Sequence, residues 1–258
     1  MKLDSSLVEL IKTFRRLRDP ETGCPWDNTQ NFKSIASCSI EEAYEVADAI
    51  EREDYESLKS ELGDLLFQII FHSEMAAEAK LFSLDEVISE LNDKLIRRHP
   101  HIFGNHKAHT SQESLEIWED IKADERKNKK LESLMDDVPK NLPSLTRAKK
   151  LQKRAARIGF DWKTKEEVFK KLDEEIKELK IENKKNCKEG VKDELGDVIF
   201  TLVNLTRHYE IELEDIIRKS NLKFENRFRK METEAAKDNI MIDKLNIKEL
   251  EALWQKIK

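Results

Sequence analysis

Closely spaced carboxylates are the residues of this sequence with the clearest chemical potential. They fall into two groups, and each group places three glutamates ahead of a Glu-Leu-Gly-Asp tetrapeptide. The first group contains Glu41, Glu42, Glu45, Glu61 and Asp64, and the second contains Glu174, Glu175, Glu178, Glu194 and Asp197. Each member of the second group lies 133 residues after its counterpart, so the pattern is an internal repeat. One such segment alone is commonly a solvated helix face, but two intact copies indicate a function.

The spacing of these carboxylates predicts a metal site. Side chains three or four residues apart share one helix face, and a short connection between two helices makes them antiparallel neighbours, so four carboxylates can converge. Like charges at one point repel one another unless cations neutralise them. Oxygen-only ligands suit hard divalent cations, so we expect Mg²⁺, with Mn²⁺ as a substitute. The sites would contain Glu175, Glu178, Glu194 and Asp197 and, as a second possibility, Glu42, Glu45, Glu61 and Asp64.

Cations and an aromatic residue follow the carboxylates in each half. The matched sets are Asn92, Lys94, Arg98 and Trp118 in the first half and Asn221, Lys223, Arg227 and Trp254 in the second. Lys223 and Arg227 lie one helical turn apart and can reach phosphate oxygens, with the arginine offering a two-donor fork. The alternative for these cations is a basic stripe on a surface helix. For Trp254, core packing is favoured over stacking on a base.

The glycine of each tetrapeptide is unusual inside a helix. Glycine costs roughly 0.5–1 kcal/mol relative to alanine in a helix interior, and alanine would fit an ordinary helix. We therefore expect Gly63 and Gly196 to allow close approach of another helix or of a ligand.

Histidines crowd one segment of the first half. The segment RRHPHIFGNHKAHT contains His99, His101, His106 and His109. A transition-metal site is conceivable there, but the second half has no matching histidines, and Pro100 and Gly104 interrupt the segment. We expect a loop that is solvated or caps a helix.

Composition favours an all-α protein that is soluble and cytoplasmic. Charged residues make up 39% and hydrophobic residues 38% of the chain, with six glycines and five prolines, a balance that suits amphipathic helices. The net charge of −6 argues against stable nucleic-acid binding. Three cysteines without a CxxC pair favour neither a disulfide framework nor a zinc site. The densest apolar run is too short to span a membrane.

Apolar residues at three- and four-residue spacing predict helices through most of the chain. The predicted helices cover residues 5–18, 32–52, 55–80, 84–98, 111–128, 144–158, 165–183, 189–209, 212–237 and 247–258. Capping-box spacing marks three starts, at Ser83 with Glu86, Thr110 with Glu113, and Thr164 with Glu167. Pro139 and Pro143 indicate a break, so we predict helical units at 1–130 and 144–258 joined by a linker at 131–143.

Several motifs together resemble the tandem-domain MazG nucleoside triphosphate pyrophosphohydrolases. The motifs are EEAYEVADAIE with ELGDLLFQIIFHSEM, KLIRRHPHIFG, EEIKEL with DELGDVIFTLVNLTRH, and KFENRFRKME. GCPWD near the N-terminus is similar to the opening motif of that family. The resemblance covers nearly the whole chain, and the ordered combination is specific although each piece alone is not.

The resemblance implies two all-α pyrophosphohydrolase bundles, a homodimer, Mg²⁺ dependence, and hydrolysis of NTPs or dNTPs to monophosphates and pyrophosphate. By motif position, the metal-binding and catalytic residues would be Glu175, Glu178, Glu194 and Asp197. The nucleotide contacts would be Lys171, Leu172, Asp173, Glu174, Lys223, Phe224, Glu225, Asn226, Arg227 and Trp254. The second half would be the main catalytic unit, because Cys38 replaces the Lys171 cation in the first half.

Two other functions fit parts of the pattern. A di-iron carboxylate bundle requires Glu-x-x-His on two helices, and no histidine of this sequence follows a glutamate at that spacing. A regulatory or scaffold protein that binds nucleotides without hydrolysing them stays open. Product analysis after incubation with nucleotides and Mg²⁺ separates the enzyme from the regulator.

Overall fold

The computed structural model describes residues 2–128, 131–238 and 240–257. Within these ranges all regular secondary structure is helical, which confirms the all-α prediction. The chain divides into two compact units, called unit 1 (Met1–Lys129) and unit 2 (Lys130–Lys258). The division falls at residues 129 and 130, outside the described ranges, and the linker at 131–143 stays a prediction.

Unit 1 is built around a long central helix. Its helices are α1 (Lys2–Leu17), α2 (Pro25–Thr29), α3 (Ala36–Glu51), α4 (Tyr55–Glu78), α5 (Leu84–Arg98), α6 (Pro100–Phe103) and α7 (Ser111–Asn128). The central helix α4 packs against α1, α3 and α5, and α7 packs against α5. Apolar positions at helical spacing form the core. The buried core residues are Phe14, Ile35, Ile70, Phe71, Met75 and Leu84.

Unit 2 uses fewer elements for a similar arrangement. Its helices are α8 (Ser144–Ala156), α9 (Lys165–Lys184), α10 (Lys188–His208), α11 (Leu213–Lys237) and α12 (Ile247–Lys256), with a 3₁₀ helix at Ile242–Lys244. Helix α10 packs against α8 and α9, and α11 packs against α8 and α12. Val168, Val203 and Met231 are buried between these helices. The order of packing therefore parallels that of α1, α3 and α4 in unit 1.

Matching turns join the two carboxylate-bearing helices of each unit. Glu53 follows α3 and Asn186 follows α9, and each has a left-handed backbone with φ of 54°. The next residue caps the following helix. The Asp54 carboxylate accepts from the Ser57 N–H at 3.1 Å, and the Cys187 thiol accepts from the Gly190 N–H at 3.4 Å. These three-residue connections form antiparallel hairpins and bring the paired carboxylates together.

All ten predicted helices occur, two of them with the predicted bounds (Leu84–Arg98 and Ser111–Asn128) and the others with shifted ends. The largest shift is at α3, which was predicted from residue 32 but begins at Ala36. The Asn31 side-chain oxygen accepts from the N–H groups of Lys33 (3.0 Å) and Ser34 (3.2 Å), and this local turn competes with the helix. Helices α2 and α6 and the 3₁₀ helix were missed because they are too short to show periodicity. No described helix has both the length and the apolar character needed to cross a bilayer.

Helix capping follows the predicted spacing at two of three sites. Reciprocal capping boxes form at Ser83 with Glu86 and at Thr164 with Glu167. At α7 only half of the box forms, because Thr110 Oγ1 accepts from the Glu113 N–H while the Glu113 carboxylate accepts from the His109 N–H. A further box at Asn246 and Glu249 starts α12. That box was missed, since only serine and threonine caps were considered.

Candidate active site

Three of the four predicted metal-binding carboxylates of unit 2 converge between α9 and α10. One oxygen from each of Glu175, Glu194 and Asp197 lies within 4.8 Å of the other two. Glu175 is only 5% exposed, whereas Asp197 lies on the open side of the cluster. Glu178 is exposed and lies outside this triplet, although its charge acts on Glu194. The hairpin therefore gathers a negatively charged site that is closed on one side.

The electrostatics of this cluster fit a hard cation. Burial raises the pKa of Glu194, and the charges of Glu178, Glu175, Asp197 and Glu182 raise it further. The Glu194 Oε2 atom is buried and has no hydrogen-bond partner within the described residues. A divalent ion would neutralise these charges and give that oxygen a ligand. The donor set is made of carboxylate oxygens alone, as Mg²⁺ and Mn²⁺ prefer.

Lys171 pairs with the buried end of this cluster. Its Nζ lies 2.8 Å from Glu175 Oε1 and 2.8 Å from Glu174 Oε1. Hydrogen bonds to Glu174 and Glu175 raise the pKa of Lys171 above its usual range. Leu172 beside it is half-buried, and Asp173 is exposed. The predicted nucleotide-contact segment thus lies directly against the carboxylates.

The other predicted nucleotide contacts of unit 2 cluster on α11 and α12. The Trp254 ring centre lies 5.5 Å from that of Phe224, and the Arg227 guanidinium carbon lies 5.9 Å from the Trp254 ring centre. Trp254 thus packs on one aromatic side chain and also offers a surface to a cation. Lys223 and Arg227 form no ion pair with any described residue.

Two residues of this segment have separate surroundings. Glu225 pairs with Arg229 at 2.5 Å along the surface of α11, and Asn226 is exposed. The carboxylates lie on α9 and α10, whereas the cations and Trp254 lie on α11 and α12. The predicted site residues therefore form two clusters on different helix pairs.

Unit 1 gathers a different carboxylate triplet. One oxygen from each of Glu42, Glu45 and Glu61 lies within 4.8 Å of the other two, and Asp64 lies outside this group. Burial raises the pKa of Glu42, and the charge of Asp64 is the next largest cause. Cys38 lies where unit 2 has Lys171, so no ammonium group of that kind faces Glu42.

Comparisons with known proteins match both units. The MazG nucleotide pyrophosphohydrolase domain matches residues 30–103, and the phosphoribosyl-ATP pyrophosphohydrolase family matches residues 129–223. The nucleoside triphosphate pyrophosphohydrolase of Escherichia coli K12 is 45% identical over 98% of this chain and 97% of its own length. The nucleoside triphosphate pyrophosphohydrolase/pyrophosphatase MazG of Thermotoga maritima is 41% identical over 97% of this chain and 94% of its own.

This chain belongs to the MazG family of nucleoside triphosphate pyrophosphohydrolases. The resemblance inferred from the motifs is confirmed, and with it the assignment of the chain to this class of enzyme. The match to two different pyrophosphohydrolase families agrees with two tandem all-α units. The individual site residues of this MazG chain stay predictions.

The glycines of the two tetrapeptides do not make room for a helix of this MazG chain. A Cβ atom built on Gly63 or Gly196 would meet no described atom within 4 Å outside the backbone of its own helix. The expected approach of a neighbouring helix is therefore wrong for the described residues, and the approach of a ligand stays a prediction. A Cβ on Gly190 would instead lie 2.5 Å from Glu182 Oε2. Glu182 lies two turns after Glu175 and raises the pKa of Glu194, yet its counterpart in unit 1 is Ala49. This extra acid was missed because it has no partner in the repeat.

None of the four histidines of the segment RRHPHIFGNHKAHT belongs to either of the two candidate metal groups among the described residues. The His99 ring contacts the Leu95 carbonyl at 2.7 Å at the end of α5. The expected loop is only partly present, because α6 adds a helical turn at Pro100–Phe103. Proline suits this first helical position because its missing N–H would have no partner there.

Proposed function

We propose that this protein hydrolyses NTPs and dNTPs to nucleoside monophosphate and pyrophosphate, and that unit 2 is the main catalytic unit. The observation behind the proposal is the convergence of Glu175, Glu194 and Asp197 on the α9–α10 hairpin. Its position within a MazG chain supports pyrophosphohydrolase chemistry for that cluster. We also propose that Mg²⁺ is the resident cation, with Mn²⁺ able to replace it.

The carboxylates would hold the metal, and the cations would hold the triphosphate. Glu175, Glu194 and Asp197 supply converging oxygens, and the charge of Glu178 acts on Glu194 although Glu178 lies outside this triplet. When bound, Mg²⁺ lowers the charge on the phosphate oxygens and polarises the α-phosphoryl group. Lys171 would hold the Glu175 carboxylate in place through their 2.8 Å ion pair.

The α11–α12 cluster would position the nucleotide. Lys223 and Arg227 are available to phosphate oxygens, because neither has a carboxylate partner in the described part of the chain. They would stabilise negative charge that develops on the departing pyrophosphate. Trp254 with Phe224 offers an aromatic surface for the base. Water then attacks the α-phosphorus in line, the bond from this phosphorus to the bridging oxygen breaks, and pyrophosphate leaves.

A homodimer would be consistent with exposed apolar stripes on the two central helices. Leu62, Leu66 and Ile69 lie on one face of α4, and Leu195, Ile199 and Leu202 lie on one face of α10. Each is between 38% and 50% exposed. Apolar side chains at this spacing commonly mark an interface. The glycines Gly63 and Gly196 lie beside these stripes with open space around their Cβ positions.

The remaining expectations concern the setting of the reaction. All three cysteines are free, which supports a reducing cytoplasmic location. The net charge of −6 supports the absence of stable nucleic-acid binding. We propose that the enzyme maintains nucleotide pools in that compartment.

Product analysis tests the proposal. Each NTP and dNTP is incubated with the protein and Mg²⁺ in ¹⁸O-labelled water, with a matched EDTA sample. Monophosphate and pyrophosphate, with the label in the monophosphate, are expected. Diphosphate with phosphate would point to another hydrolase, and binding without products would favour the non-hydrolytic regulator. Glu175→Gln should abolish turnover, and the matched Glu42→Gln should retain it if unit 2 is the catalytic unit.

A further inference from the structure

Unit 1 contains one carboxylate surrounded by cations where α5 and α7 pack together. Glu125 of α7 accepts hydrogen bonds from Arg97 Nε at 2.8 Å and from Arg98 Nη2 at 2.6 Å. The Arg98 Nε also donates to Glu125 Oε2 at 3.2 Å and to Oε1 at 3.3 Å, so this arginine binds both carboxylate oxygens. The hydrogen bond from Arg98 is the main reason that the pKa of Glu125 falls to about 2. Glu125 is therefore held as an anion between two guanidinium groups.

The same local arrangement occurs in unit 2 without the carboxylate. Arg98 and Trp118 match Arg227 and Trp254 in the repeat. The guanidinium carbon lies 5.8 Å from the ring centre of Trp118 and 5.9 Å from that of Trp254. Yet Arg227 has no ion-pair partner among the described residues of unit 2. One difference between the two positions is therefore the presence of Glu125 beside the arginine in unit 1.

The position in unit 1 has one more arginine than its counterpart. Arg97 corresponds to Asn226 in unit 2. The Lys122 ammonium lies 4.0 Å from the Trp118 ring centre and is paired with Glu119 at 3.7 Å. A guanidinium fork binds carboxylate and phosphate with the same two-oxygen geometry. A phosphate group would therefore fit where the Glu125 carboxylate lies.

We propose that Glu125 is an internal substitute for phosphate, which keeps the position formed by Arg97, Arg98 and Trp118 from binding polyphosphates. The inference depends on the proposed function, in which Arg227 holds the triphosphate and Trp254 lies against the base. A carboxylate tethered in the chain competes at an effective concentration of about millimolar or above. Free polyphosphate must displace the Glu125 carboxylate before it can bind. Unit 1 therefore keeps its carboxylate cluster, but Arg97 and Arg98 are not open to phosphate.

The test measures binding without catalysis. Inorganic tripolyphosphate is titrated calorimetrically into the full chain in EDTA, so that no divalent cation is present. Wild type should bind one equivalent per chain, through unit 2. Glu125→Gln should bind a second equivalent at the unit 1 position, and its affinity there should be at least ~10-fold higher than that of wild type. Adding Arg98→Ala to this variant should remove the second equivalent. Binding by Glu125→Gln that matches wild type would overturn the inference.

A neighbouring acid on α7 provides the matched control. Asp124→Asn makes the same change in net charge, but its carboxylate pairs with Lys127 at 2.9 Å and touches neither arginine. This variant should bind tripolyphosphate as wild type does. An equal gain from Asp124→Asn would mean that overall charge, rather than release of the arginines, is responsible, and the inference would be wrong.

Two further variants keep the result decisive. If Glu125→Gln loses cooperative unfolding, Glu125→Asp replaces it, because it keeps the charge but shortens the reach. A gain of roughly 3-fold in binding is then expected, and an unchanged affinity counts against the inference. Arg227→Ala tests the proposed function separately. If Arg227→Ala no longer binds the one equivalent of tripolyphosphate that wild type binds, phosphate binding by Arg227 is supported. If the variant still binds it, that role of Arg227 is refuted, whatever the result for Glu125.

Discussion

Units 1 and 2 share the five repeated carboxylates but surround them with different cations. In unit 2, Lys171 pairs with the most buried glutamate, and Lys223 and Arg227 have no acidic partner among the described residues. In unit 1 the position of Lys171 is Cys38, and Arg98 is paired with Glu125. The lysine matching Lys223 is Lys94, which lies 3.5 Å from Glu90.

This difference shows how the two copies of a repeat can diverge in their cations while the repeated carboxylates persist. A carboxylate cluster alone needs only a cation, but a triphosphate also needs open positive charge on its other side. In unit 2 the cations Lys223 and Arg227 have no acidic partner among the described residues, whereas in unit 1 the matching cations form internal ion pairs. The contrast predicts unequal contributions to turnover from residues that match in the repeat.

The largest expected effect comes from the carboxylates themselves. Glu194→Gln and Asp197→Asn should each lower Mg²⁺-dependent kcat at least ~100-fold, because a direct ligand matters more than the outer groups whose loss typically costs 10–100-fold. Glu61→Gln and Asp64→Asn should change kcat by less than ~3-fold. Steady-state pyrophosphate release measures kcat for the variants of both units. Full activity in Glu194→Gln would refute the metal assignment, and equal losses in both sets would remove the distinction between units.

A smaller effect should separate the matched arginines. Arg227→Ala removes charge-assisted hydrogen bonds to phosphate and should lower kcat/KM roughly 10- to 100-fold. Arg98→Ala should leave kcat/KM within about 2-fold, because its partner is Glu125 rather than substrate. Thermal unfolding provides the second measurement, since Arg98→Ala should lower the stability of unit 1. If Arg98→Ala reduces kcat/KM as much as Arg227→Ala does, both arginines bind substrate and the distinction between them is wrong.

The carboxylate of Glu125 should make unit 1 sensitive to acid. Its folded-state pKa is about 2, against an ordinary value of 4.5. A depressed pKa stabilises the fold fully above the ordinary value, and this stabilisation disappears as pH falls toward about 2. The unfolding free energies of wild type and Glu125→Gln should therefore differ by roughly 1–3 kcal/mol near neutrality and converge in that window. A difference that is independent of pH between 5 and 2 would contradict this ion-pair interpretation.

The smallest effect should come from exchanging the cation beside the carboxylates. Cys38→Lys places an ammonium group one turn before Glu42, as Lys171 precedes Glu175, and should stabilise metal-free unit 1 by about 0.5 kcal/mol. Lys171→Cys should destabilise metal-free unit 2. Thermal unfolding in EDTA measures both changes, and Mg²⁺ should reduce them by supplying the missing charge. Destabilisation by Cys38→Lys would mean that the cluster of unit 1 does not need a cation there.

Much of the fold was accessible from the sequence because its elements are long and periodic. The ten predicted helices and the hairpin of α9 and α10 follow from apolar spacing and short connections. Helices α2 and α6, of five and four residues, are too short for periodicity to be visible. The start of α3 shifted because the Asn31 side chain satisfies nearby N–H groups in a turn.

The candidate site could be predicted only in part from the sequence. Repetition marked the carboxylates, and helical spacing placed them in pairs on helix faces. It did not show that Asp197 joins the triplet of unit 2 while its counterpart Asp64 stays outside that of unit 1. Small differences in side-chain direction decide which oxygens meet, and sequence spacing does not fix these directions.

The sequence by itself determined the duplication, the all-α class, the family resemblance and the residues able to bind a cation or a phosphate. Only the tertiary structure decided which of these charges are already paired. Arg98 and Glu125 lie 27 residues apart in the chain, and they meet because α5 packs against α7. Periodicity reveals the face on which a side chain lies, but its partner depends on how helices pack over long sequence separations.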